Sequence, residues 1–142
     1  MNDLTLNVKR TIHAPIEQVF DAWLNAQTLA KFMMPMPGMP QPKTEADGRE
    51  GGDFTILMAV GEEEVPHRGK YLEIKRPHKL VFTWQSPYSP DDSTVTILFE
   101  AGDDETTEID FTHVKFLNEE ARDNHEKGWG VILDALATLL SK

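Results

Sequence analysis

The segment that decides the fold is NEEARDNHEKGWGVILDALATLLSK, residues 118–142, at the end of the chain. Apolar residues recur along it at the spacings of three and four that place side chains on one face of a helix. They are Trp129, Ile132, Leu133, Leu136, Leu139 and Leu140. Asn118 can cap the first turn, where Glu119 and Glu120 suit the positive end of the helix dipole. The pattern predicts a helix over 119–140, about 33 Å long at 1.5 Å per residue, which needs a broad apolar partner.

The middle of the chain supplies that partner as strands joined by short turns. Alternation of apolar and polar residues predicts strands over residues 4–12, 54–60, 67–75, 80–85, 94–100 and 108–113. Two short helices are predicted after the first strand, over 16–23 and 27–32, with Asn25 marking the end of the earlier one. Short turns join antiparallel neighbours, because a parallel pair needs a crossover of about a dozen residues. We therefore predict a single α+β domain over 1–142, in which a curved antiparallel sheet of about six or seven strands surrounds the C-terminal helix.

Charge and composition argue against several classes of function. The net charge is −10, and such a field repels phosphate backbones, so nucleic-acid binding is not expected. No apolar run approaches the ~20 residues that span a bilayer, so no membrane span is predicted. The chain has no cysteine, which excludes disulfides and thiol chemistry. Residues 1–4 lack the basic and apolar regions of a signal peptide, so a cytoplasmic location is expected.

The sequence contains no recognisable catalytic, metal or cofactor motif. Its five histidines show no ligand spacing, no serine lies in a G-x-S-x-G context, and the glycine-rich turn at 48–52 lacks the lysine of a phosphate-binding loop. We therefore assign no catalytic residue, no metal site and no cofactor.

One loop has an unusual composition: MMPMPGMPQP, residues 33–42. Its four prolines exclude a helix interior or a central strand. Its four methionines are flexible and apolar. They either pack over the edge of the core or form an adaptable lid over an apolar site, in which case Met36 lies near the mouth.

Three segments carry a resemblance to a known family. The first, residues 8–23, runs from a strand through Ala14 and Pro15 into VFDAW. The second, residues 69–84, contains GKYLEI and then LVFTW. The third, residues 113–136, contains EAR and HEKGW. Together they resemble the START-like helix-grip superfamily, also called SRPBCC or birch-pollen-allergen-like, and within it the group of activator of heat-shock protein 90 ATPase homologues. Phe32 is a departure, since members often carry tryptophan there.

The resemblance implies a helix-grip fold with a cavity between the sheet and the last helix. Many relatives bind lipids, sterols, polyketides or other apolar molecules there, and some are cyclases or aromatases. The group is named after a co-chaperone that stimulates heat-shock protein 90, which also suggests a link to the stress response. That co-chaperone has an additional N-terminal domain not found in these 142 residues, so its name is little evidence of chaperone activity here.

Strand and helix parity predict which side chains border such a cavity. Phe82 and Trp84 share one strand face, and Phe111 and His113 share another. One face of the last helix carries His125, Trp129 and Ile132. The predicted cavity residues are Trp129, His125, His113, Phe111, Trp84, Phe82, Ile132 and Met36. Gly128 and Gly130 have no side chains and so remove volume beside Trp129. The contact between the last helix and the sheet at this point either leaves space for a ligand or closes up.

Three functional hypotheses remain open at this stage. The first is a non-enzymatic module that binds an apolar or aromatic small molecule. The second is a cyclase or dehydratase that uses the same cavity, with His113 or His125 as acid or base; both could equally be core histidines. The third is a protein-interaction module that regulates a chaperone ATPase.

Overall fold

The computed structural model describes residues 4–34, 40–60, 62–86 and 93–140. In chain order its elements are β1 (Thr5–Ile12), α1 (Ile16–Asp21), α2 (Ala26–Phe32), β2 (Lys43–Ala46), β3 (Asp53–Val60), β4 (Glu63–Lys75), β5 (Lys79–Thr83), β6 (Thr94–Ala101), β7 (Thr107–Val114) and α3 (Glu119–Leu140). The predicted α+β class and the order of the elements are confirmed.

The strands form one seven-stranded antiparallel sheet in the order β1-β7-β6-β5-β4-β3-β2. Each strand from β2 to β7 therefore lies beside its neighbours in sequence, as the short turns predict, and β1 closes the order by pairing with β7. The sheet is curved, and with the long terminal helix it forms a helix grip.

Gly69 lies close to the point where β4 changes its pairing from β3 to β5. The strand pairs with β3 up to Lys70 and with β5 from Tyr71 onward, with a register shift after Tyr71. A Cβ atom on Gly69 would overlap the carbonyl oxygen of Thr83 and the ring of Phe54. Only glycine lets the backbone approach this closely.

The final helix has the predicted bounds, because its capping residue and its apolar stripe define the same segment. The Asn118 side-chain oxygen accepts a hydrogen bond from the Ala121 amide at 2.8 Å, which satisfies one free N–H of the first turn. Of the apolar stripe, Trp129, Ile132, Leu133 and Leu136 are buried. Leu139, in the last turn, is 39% exposed, so the buried stripe ends before the helix does.

The end of α1 and the start of β4 are among the boundaries that differ from the sequence prediction. Asn25 does not end the first helix, which stops at Asp21; it caps α2 instead, accepting a hydrogen bond from the Thr28 amide at 3.0 Å. β4 begins at Glu63 rather than His67, because charged residues there face solvent while their backbone pairs with β3. Among the described residues, no helix is long and apolar enough to cross a membrane.

Candidate functional site

Most of the predicted cavity residues meet in one aromatic cluster. The indole of Trp129 lies 4.7 Å from that of Trp84 and 4.5 Å from the Phe111 ring, centroid to centroid. The His113 ring lies 5.5 Å from that of His125. The fully or nearly fully buried members are Phe82, Trp84, Phe111, His113, Trp129 and Ile132. His125 is only partly buried, and Met36 lies outside the described residues.

A chain of hydrogen bonds fixes the protonation of His113. Trp129 Nε1, which can only donate, lies 3.0 Å from His113 Nδ1. Nδ1 therefore accepts, and the ring proton lies on Nε2, which donates to the Ser93 hydroxyl at 2.6 Å. Ser93 in turn donates to the Val114 carbonyl at 3.2 Å. Both imidazole nitrogens are thus engaged by protein groups.

Burial keeps this histidine neutral. Removal from water, and to a lesser extent the neighbouring His125, lower the pKa of His113 from 6.5 to about 3. The direction of the bonds also differs from that of a nucleophilic pair, in which serine donates to histidine. Here His113 donates to Ser93, so this pair is a structural network.

Two further histidines border the cluster. His125 Nδ1 donates to the Ala121 carbonyl at 2.7 Å, and burial lowers its pKa. His67, which was not among the predicted residues, lies with its ring 5.1 Å from that of Trp84, and burial lowers its pKa to about 4. Strand parity is the signal that could have found it, since Val65, His67 and Tyr71 share the buried face of β4.

Gly130, next to Trp129, faces Arg10 of β1. A Cβ on Gly130 would lie 3.3 Å from Nη2 of Arg10, whose Nε donates to the Asp134 carboxylate at 2.8 Å. Gly130 therefore makes room for an arginine of β1.

A small cavity lies elsewhere, between α1–α2 and the sheet. Its volume is about 10 Å³, which is room for roughly one water molecule. The lining residues are Trp23, Leu29, Met33, Phe54, Ile56, Tyr71 and Phe82. Of the predicted cavity residues that the structure describes, Phe82 alone lines it.

The wall of this cavity is largely aromatic, and one of its residues, Trp23, carries an unpaired donor. Trp23 packs edge-on against Phe32 at 5.1 Å and lies 6.3 Å from Phe82. The Tyr71 hydroxyl donates to the Trp23 carbonyl at 2.8 Å, which ties β4 to the end of α1. Within the described part of the chain, the buried indole nitrogens of Trp23 and Trp84 have no hydrogen-bond partner.

A larger groove lies on the surface between β1 and α3, with a volume of about 780 Å³. Charged side chains from both elements line much of it, among them Lys9, Asp123, Glu126 and Lys127. This lining does not suit an apolar ligand. Over the described segments, no three histidine, aspartate or glutamate side chains are grouped so as to hold a metal ion.

Comparison with solved structures supports the fold. A protein from Chromobacterium violaceum superposes with a TM-score of 0.85 at 24% identity, covering 97% of each chain. An AHSA1-like protein from Aeromonas hydrophila gives 0.79 at 21% identity, covering 95% of this chain and 90% of the other. An HSP90 activator from Plasmodium falciparum gives 0.77 at 23% identity, covering 96% of each. At these identities the likeness shows a shared fold.

Sequence comparison identifies the family. No functionally curated protein matches the chain. The family model described as Activator of Hsp90 ATPase homolog 1-like protein matches residues 13–141, which is most of the chain and includes both the cavity wall and the final helix. The chain therefore belongs to the Activator of Hsp90 ATPase homolog 1-like family.

Proposed function

We propose that this protein binds a small, neutral, apolar molecule in its interior, against the cavity wall between α1–α2 and the sheet. The observation that carries the proposal is the composition of that wall, in which every lining residue is apolar or aromatic. Sites for small molecules typically combine such a wall with a few polar groups that fix orientation. The unpaired indole N–H of Trp23 is a polar group of this kind.

Binding requires the cavity to enlarge, because about 10 Å³ holds no organic molecule. The side best suited to move is formed by Leu29 and Met33. Leu29 lies on α2, which has only seven residues, and Met33 follows that helix directly. Methionine is unbranched and repacks readily. Displacing these two side chains would open the wall while the sheet residues keep their places.

The electrostatics of the interior favour a neutral ligand. The pKa values of His67, His113 and His125 are all lowered by burial, and at neutral pH His67 and His113 carry no charge. No lining residue carries a charge, so an ionised ligand would lose its hydration without gaining a counter-charge.

The geometry gives less support to the enzymatic alternative. A cyclase or dehydratase needs an acid or base within reach of its substrate. Both ring nitrogens of His113 are already hydrogen-bonded, to Trp129 and Ser93. A pKa of about 3 also keeps the ring neutral at neutral pH, so it lacks the imidazolium proton that a general acid would donate.

Regulation of the Hsp90 ATPase is a second candidate function. The family description and the Plasmodium falciparum HSP90 activator favour it. It predicts a contact through the surface and requires no interior site, so the two candidates are separable by experiment.

The binding proposal is tested by NMR titration with a panel of neutral aromatic and alicyclic compounds. We expect amide shifts centred on α2, β3 and the end of α1. Leu29→Phe should fill the cavity and weaken binding at least tenfold. Leu133→Phe is the matched control, because Leu133 is also fully buried but does not line the cavity. Equal weakening by both variants, or no shift with any compound, would contradict the proposal.

A further inference from the structure

The three tryptophans of this chain differ in how their indole N–H groups are satisfied. The N–H of Trp129 donates to His113. Those of Trp23 and Trp84 have no acceptor among the residues that the structure describes. Both of these side chains are nearly fully buried, with exposed fractions of 1% and 3%. A buried donor without a partner is costly, because it has lost its bond to water, so each case calls for an explanation.

Trp23 is the one of the two that lines the cavity. Trp84 is enclosed by other rings: its centroid lies 4.7 Å from Trp129, 5.1 Å from His67 and 6.2 Å from Phe54. An acceptor carried by a ligand in the cavity would therefore meet Trp23 rather than Trp84.

The other polar group of the wall is already committed. The Tyr71 hydroxyl donates to the backbone carbonyl of Trp23, so that carbonyl is occupied. Among the side chains that line the cavity, Trp23 thus carries the unpaired N–H donor, and the others are apolar apart from the Tyr71 hydroxyl. The nitrogen itself is buried, so a ligand reaches it as the cavity enlarges.

From this arrangement we infer that the interior site selects a ligand with a hydrogen-bond acceptor, namely a neutral aromatic or alicyclic compound whose carbonyl or ether oxygen binds Nε1–H of Trp23. This inference rests on the proposed function and specifies its ligand class. An oxygen at that position supplies the bond that Trp23 lacks. A pure hydrocarbon of the same shape fills the space but leaves the donor unpaired, as it is without a ligand.

Matched pairs of compounds test the inference on the unmodified protein: indane against 1-indanone, and tetralin against 1-tetralone. Without a donor in the site, each ketone should bind more weakly than its hydrocarbon, because its carbonyl loses water. With Trp23 as donor, we expect each ketone to bind about tenfold more tightly. The assigned indole N–H resonance of Trp23 should move downfield with the ketones and little with the hydrocarbons.

Two variants assign the effect to one nitrogen. Trp23→Phe keeps an aromatic ring and removes the donor, so it should abolish the preference for ketones. Trp84→Phe is the control and should retain that preference. If Trp23→Phe does not fold, the Trp23 resonance in the unmodified protein still decides the question.

The outcomes separate this inference from the function on which it rests. Equal or weaker binding of the ketones, with no response of the Trp23 resonance, overturns the acceptor requirement and leaves interior binding in place. Persistence of the preference in Trp23→Phe also overturns it, because the donor is then another group. If neither member of either pair binds, the proposed function itself fails.

Discussion

Acidification should destabilise this fold strongly, because the fold buries histidines in their neutral form. The pKa of His113 falls from 6.5 to about 3 on folding, and that of His67 to about 4. Below pH 6.5 the unfolded chain takes up protons at these residues and the folded chain does not. The unfolded state therefore binds more protons, and the free energy of unfolding falls as the pH falls.

The magnitude follows from the size of the two shifts. Between pH 6.5 and its folded pKa, each histidine lowers the free energy of unfolding by about 1.4 kcal/mol per pH unit. At pH 4.5, about two units below the unfolded value, His113 and His67 together remove about 5 kcal/mol. That is comparable to the whole stability of many domains, about 5–15 kcal/mol. Well above pH 6.5 both histidines are neutral in the folded and in the unfolded chain, so none of this stability is lost there.

The assay is urea denaturation at several pH values between 7 and 4.5. We compare the unmodified protein with His113→Gln, which cannot titrate, and with His78→Gln, which removes an exposed histidine. The His113→Gln variant will be less stable at neutral pH, because it disrupts the bonds to Trp129 and Ser93. The informative quantity is the slope of stability with pH, which for His113→Gln should be shallower than for the parent by about 1.4 kcal/mol per pH unit. The change produced by His78→Gln is the reference for the loss of a surface histidine. Parallel curves for His113→Gln and the parent would refute the assignment of His113 as a buried neutral group.

Three further predictions concern the fold and the partner. Gly69→Ala should destabilise the protein by about 3 kcal/mol or more, because the new methyl group overlaps backbone and ring atoms; Gly51→Ala, with open space but a φ of +83°, should cost only about 1 kcal/mol, and equal melting temperatures would contradict this. Leu136→Asp should prevent stable folding, because it places an unpaired charge at a fully buried position, whereas Leu139→Asp, at a 39% exposed position, should be tolerated in a circular-dichroism melt. We expect no stimulation when the protein is added to heat-shock protein 90 from the same organism in an ATPase assay; a saturable increase in the rate would favour the second candidate function.

Much of the fold follows from local patterns in the chain. The 3.6-residue period of α3 and the capping residue Asn118 define a helix whose bounds the structure reproduces. The alternating strands and short turns require an antiparallel order, which the sheet adopts. These features depend on neighbours in sequence, and neighbours in sequence are what periodicity and turn chemistry report.

The candidate site depends on contacts between distant residues, and there only the tertiary structure decides. Parity correctly placed Trp129, Phe111 and His113 on facing surfaces, but it contained no information on the volume left between them. Arg10, from the other end of the chain, lies against Gly130, and a small cavity lies beside Trp23 and Phe82. The proton position on His113 likewise depends on Trp129, which lies on α3, and on Ser93, which directly precedes β6. Volume and protonation are set by how whole surfaces pack together, because both depend on atoms far apart in sequence, and no local pattern records that packing.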